Sequence, residues 1–200
     1  SDGAQTINHE DDFDTMCRKI HSSSIVSLNE TLELLNEAAL VRAVNLLSGA
    51  RHVYCFGQGG SMVMAMEAWA RFSTVSSNFI HIEDSHMQAM AAALATSKDV
   101  ILFFSYSGST RDMEEVLKLA EENKVRIILI THFKTARAAE FADVVLLCGY
   151  NESPLQSGSI AAKVGQMFLI DCLFYGLCRK NPELYASARA ATAQSIANKL

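Results

Sequence analysis

No run of Lys or Arg in this 200-residue chain exceeds two, and acidic residues outnumber basic ones, 22 against 17, for a formal net charge of −5. Nucleic-acid backbones are gripped by clustered cations, so this balance excludes the chain from holding nucleic acid by itself. No CxxC pair joins any of the five cysteines, Cys17, Cys55, Cys148, Cys172 and Cys178. Their scattered, largely apolar settings predict reduced, buried thiols of a cytoplasmic protein, not a zinc site or a disulfide framework. A signal peptide and an apolar run of lipid-spanning length are also missing, which predicts a soluble chain with no membrane partner. Internal repeats and low-complexity tracts are absent. Half of the residues are hydrophobic, enough to build one good core in one main domain.

Ser1 to Asp14 is acidic, polar and aperiodic and reads as a disordered lead (residues 1–14). Ser1 standing where an initiator Met would be expected points to a trimmed chain. Met16, Ile20, Ile25, Leu28, Leu32 and Leu35 recur at helical spacing, and Asn36 is placed to cap a second helix from Glu37 to Leu47. Residues 15–49 are therefore expected to form a helical arm. From Gly49 onward strands and helices alternate. Strands are expected at Val53–Phe56, Asn78–Ile82, Val100–Phe104, Arg126–Thr131 and Val144–Leu147. Helices are expected at Met62–Phe72, Met87–Ala95, Arg111–Glu122, Ala136–Phe141 and Ser159–Cys178, with a C-terminal helix in residues 182–200 opened by Pro182. Five apolar strands separated by helices predict an α/β fold, a doubly wound five-stranded parallel sheet covered on both faces.

Two loops stand out. Gly57-Gln58-Gly59-Gly60-Ser61 follows the first strand, and Ser105-Tyr106-Ser107-Gly108-Ser109-Thr110 follows the third. In the flavodoxin-like order 2-1-3-4-5 the crevice opens at the carboxyl ends of those two strands. A strand end, a small polar loop and a helix start make an anion site, because unpaired helix N–H groups point at the loop. The loops carry no GxxxxGK[ST] lysine, so they are not a P-loop. They lack the sixth-position glycine and the well-spaced acid of a dinucleotide site, Glu83 and Asp84 coming late. The expected ligand is a phosphomonoester held mainly by neutral donors. The rival reading is that both loops are tight turns with hydroxyl caps.

In this order and spacing the two loops resemble the signatures of the SIS (sugar isomerase) domain, a GxGxS turn after the first strand and an SxSGxT turn after the third. The resemblance runs from about Thr15 to Asn181 and puts the domain itself at residues 50–181. Leu28-Asn29-Glu30-Thr31-Leu32, Asp84-Ser85-His86-Met87-Gln88, Asp99-Val100-Ile101 and Leu169-Ile170-Asp171-Cys172-Leu173 are similar to the effector half of RpiR-type transcription regulators. The resemblance implies a sugar-phosphate-sensing domain whose partner helix-turn-helix domain, the DNA contact, lies outside this chain. It implies phosphate binding by Gly59, Ser61, Ser105, Ser107 and Thr110, helped by the backbone N–H groups of Tyr106 and Gly108. The family's Ser-Pro-Leu-Ala after the fourth strand is replaced by Thr135-Ala136-Arg137-Ala138, a change expected not to touch the phosphate site.

The alternative is a sugar-phosphate aldose–ketose isomerase, which needs a general base and an acid. Glu152 resembles the place where such enzymes keep a carboxylate, and His86 opens the helix after the second strand. As a sensor residue, Glu152 would accept hydroxyls of the sugar. His81, Glu83, Asp84 and His86 are metal-capable types, but strand and turn geometry divides them and neither metal nor cofactor is expected. Asp171 reads as a paired, buried carboxylate, and Met62, Met64 and Met66 as core or interface filler. The apolar arm and the broad apolar face of Ser159–Cys178 exceed what one sheet needs, which predicts a homodimer or homotetramer.

Overall fold

A computed structural model describes residues 6–149 and 159–197. Two helices lead. Helix α1 (Phe13–Leu34) starts where the Asp12 carboxylate accepts the Thr15 N–H at 2.8 Å. Helix α2 (Glu37–Gly49) starts where Asn36 accepts the Ala39 N–H at 2.9 Å. Then come β1 (Val53–Gly57), α3 (Met62–Ser73), β2 (Phe79–His81), α4 (Ser85–Leu94), β3 (Val100–Phe104), α5 (Arg111–Glu122), β4 (Arg126–Thr131), β5 (Val144–Leu147), α6 (Ile160–Lys180) and α7 (Pro182–Ala197). Short 3-10 turns lie at Gly59–Ser61 and Arg137–Glu140.

The strands form one all-parallel sheet in the order β2-β1-β3-β4-β5. Strand β3 is central, and all five of its side chains are buried. Their alternation sends Val100, Leu102 and Phe104 to the layer formed by α2, α3 and α6, and Ile101 and Phe103 to the layer formed by α4 and α5. Helix α5 buries Met113, Val116, Leu117 and Ala120, one apolar stripe at helical spacing. At the amino ends of the strands, the fully buried Asp99 carboxylate accepts from Arg51 at 2.7 and 3.0 Å and from the Thr96 N–H at 2.8 Å, with His52 Nδ1 at 3.2 Å. That cluster fastens the floor of the sheet.

Several expectations change. Residues 6–12 are not a loose lead: Lys19 bonds both Asp11 oxygens and the Thr6 carbonyl, and Asp12 starts the helix at Phe13. Of the two arm helices, α2 places Ala43, Val44 and Leu47 in the core. Helix α4 begins two residues earlier than the apolar pattern suggests, since Asp84 caps the Met87 N–H. The segment expected to be helical near Ala136 is a single 3-10 turn. Asp171 is paired but not buried; it faces outward and accepts from Arg71 at 3.0 Å. Helix α6 does reach membrane-spanning length and apolarity, a property hidden by reading it residue by residue. Its buried stripe, Leu169, Ile170, Leu173, Phe174 and Leu177, is spent on the sheet and α2, as in a core helix.

Candidate functional site

The polarity of the sheet fixes where a ligand can sit. Strand order reverses at β1 and β3, and the loops leaving their carboxyl ends open a cleft of about 240 Å³. Gln58, Gly60 and Ser61 come from the first loop, and Ser105, Tyr106, Ser107 and Thr110 from the second. Ser159, Ala162, Lys163 and Gln166 come from the start of α6, and Phe103 closes the floor. Three helix N-termini, those of α3, α5 and α6, thus surround one small volume. Each brings N–H donors and the positive end of a dipole. Neither Ser61 before α3 nor Thr110 before α5 spends its side chain on capping, so those hydroxyls are not committed to the helix. Ser159 does cap, accepting weakly from the Ala162 N–H at 3.5 Å.

The second loop is held from behind. Gly108 has φ +64°, and a Cβ there would fall 2.3 Å from the Ala136 Cβ. Only glycine serves such a position. The Gly108 carbonyl accepts the Ala138 N–H at 3.1 Å. The Thr135–Ala138 segment, where the chain departs from the family pattern, therefore touches the second loop from behind, at Gly108. The Tyr106 carbonyl accepts from the His132 N–H and from Thr131 Oγ1, both at 3.1 Å. Its ring stacks on His132 with centroids 5.1 Å apart and packs near Val26, Ala161 and Ala162.

Ser61, Ser105, Tyr106, Ser107 and Thr110 are brought together around the cleft, while Gly59 and Gly108 are not among its lining residues. Buried Ser105 accepts the Gly108 N–H at 3.0 Å, so that N–H is committed within the loop and does not face a ligand. Gly59 stays exposed at φ +55°. Ser109 is exposed as well. Glu152 lies outside the described residues. His86 is exposed in the first turn of α4 and does not line the cleft. His81 stacks on Trp69, its Nδ1 3.1 Å from the Cys55 carbonyl, and Asp84 caps α4; no group of three metal-capable side chains meets among the described residues.

Lys163, Gln166, Ser159 and Gln58 are lining residues that motif reading missed. Gln58 does carry a local signal, as the only long polar side chain of the Gly57–Ser61 loop. The other three carry no local signal, because they enter from the cap and first turns of α6, about fifty residues downstream of the second loop. Lys163 gives the cleft a cation that neither loop contains, and among the described residues no carboxylate lines it. The arrangement can hold a small dianion by many neutral donors and one ammonium.

A doubly wound α/β domain with hydroxyl loops at the switch point of its sheet is the architecture these elements define. The chain belongs to the SIS domain family, whose profile matches residues 46–175. An HTH-type transcriptional regulator of Haemophilus influenzae is 30% identical over 93% of this chain and 65% of its own length. The HTH-type transcriptional regulator RpiR of Escherichia coli is 27% identical over 82% of this chain and 56% of its own length. The chain thus spans less than two thirds of these relatives. Among solved structures, Vibrio vulnificus NanR complexed with ManNAc-6P superposes with a TM-score of 0.88 at 26% identity, over 92% of this chain and 70% of that one.

Proposed function

We propose that this chain is the effector part of an RpiR-type transcription regulator and that its cleft binds a phosphorylated sugar. The observation that carries the reading is the convergence of the two hydroxyl loops, three helix N-termini and Lys163 on one small cleft. Ser61, Ser107 and Thr110 donate to the phosphate, Ser105 shapes the loop, and Lys163 and Gln166 face the sugar from α6. An amino-sugar phosphate such as N-acetylmannosamine 6-phosphate, held by the NanR relative, is the first candidate. Ligand binding pins the loops and shifts the population of protomer arrangements, and a helix-turn-helix domain elsewhere in the whole protein reads that shift at DNA. The protein works in the cytoplasm, as a homodimer or homotetramer, through the outward apolar stripe of α1.

The test is a thermal-shift and calorimetric titration with N-acetylmannosamine, N-acetylglucosamine, hexose and pentose phosphates. One of them should raise the melting temperature, and Ser107→Ala with Thr110→Ala should erase the rise. Interconversion of any of these sugars, followed by NMR and abolished by Glu152→Gln, would replace the sensor with an isomerase. No shift with any phosphorylated sugar would leave an assembly domain.

A further inference from the structure

We propose that Gln58 is a ligand-operated clasp: its side chain, which bonds the second loop through Thr110, exchanges that bond for donation to the phosphate of a bound ligand. The proposal rests on the phosphate-binding reading and adds a residue that the loop signature leaves unspecified. Gln58 is the second residue of the first loop, in extended backbone just before the 3-10 turn. Its Oε1 accepts from Thr110 Oγ1 at 3.1 Å, across 52 residues of chain. Its Nε2 is buried and finds no acceptor among the described residues.

The chemistry follows from counting protons. A threonine hydroxyl has one hydrogen to give, and a primary amide has two. Here the single hydrogen of Thr110 goes to Gln58, while the amide hydrogens meet no acceptor among the described residues, which a buried site tolerates poorly. A dianionic phosphate accepts only. It therefore competes with Gln58 Oε1 for the Thr110 hydrogen, and it wins because a charged acceptor makes the stronger bond. The carboxamide is then released, and rotation about its terminal bond turns Nε2 toward the same anion. One event satisfies the orphaned donor and exchanges a loop-to-loop bond for two bonds to the ligand. A hydrocarbon side chain of similar length could do neither.

The test compares the unaltered chain with Gln58→Met in NMR titrations with inorganic phosphate and with N-acetylmannosamine 6-phosphate. Losing a donor to a charged acceptor should raise Kd roughly tenfold, by the same factor for both ligands, because the phosphate is what they share. In the unaltered chain, the Gln58 side-chain amide resonances should move downfield as inorganic phosphate is added, a readout that holds even if the variant folds poorly. Unchanged affinities, a loss confined to the sugar phosphate, or amide resonances that stay still would each overturn the clasp while leaving phosphate binding standing. Failure of the unaltered chain to bind either anion would overturn both.

Discussion

Gly108 and Asp99 show how single residues set the two ends of the sheet. At the carboxyl end, Gly108 combines a positive φ with a Cβ position occupied by Ala136, which has no rotamer to move away. Gly108→Ala adds the left-handed penalty of about 1–2 kcal/mol to an overpacking cost of similar size. The melting temperature should fall by roughly 4–16 °C, and any ligand-induced shift should vanish with the loop geometry; calorimetry measures both. At the amino end, burial alone would raise the Asp99 carboxyl, but the Arg51 and Thr96 hydrogen bonds outweigh it and hold it down at about 2. A carboxylate held below its unfolded value of about 3.9 adds stability that is present above that pH. That contribution is lost as pH falls from about 4 through about 2. Asp99→Asn should cost about 2–4 kcal/mol at neutral pH by leaving Arg51 and His52 without their partner. Urea melts from pH 7 to pH 2 should show the difference between variant and parent shrinking over that acid window.

At the scale of elements, α1 is packed inside out. Its buried residues are Ser23, Ser27 and Thr31, while Ile20, Ile25, Leu28 and Leu32 face outward. The cause is the closeness of α6, where Gly165 leaves so little room that a Cβ would lie 2.5 Å from Thr31 Oγ1. Small hydroxyls let the backbones approach, and Thr31 bonds the Ser27 carbonyl at 2.6 Å while accepting the Gly149 N–H at 2.9 Å. Thr31→Val keeps the shape and orphans that buried N–H, so it should cost about 1–3 kcal/mol. A urea melt that leaves the midpoint unmoved would show that the hydroxyl is there only for its size.

For the whole molecule, Leu28 of the outward α1 stripe shares a groove with exposed Met167 of α6. Leu32, the last residue of the stripe, is 59% exposed. Apolar surface on this scale is covered in a stable protein, and a second copy of the same chain is the simplest cover. Sedimentation velocity should find a dimer or tetramer, and Leu28→Glu with Leu32→Glu should reduce it to monomer while leaving the circular dichroism unchanged. A monomeric parent chain would show that this stripe serves a different partner.

The five strands, their order of appearance and the two hydroxyl loops were legible along the chain, because apolar runs, helical spacing and small-residue turns are local patterns. From them the parallel sheet and the position of its crevice follow by topology alone. The chain order could not say that Lys163 and Gln166 enter that crevice, since nothing local marks which turn of α6 points at loops folded far upstream. Periodicity located a helix at α1 but not its facing, because the spacing of a stripe is the same whether it meets a sheet or solvent. Asp171 was legible as needing a partner, yet only the approach of α3 supplied Arg71. Sequence by itself determined the five strands, the main helices and the two small-residue turns; tertiary structure decided which side chains share a cleft, because that depends on distances closed by packing rather than on neighbours along the chain.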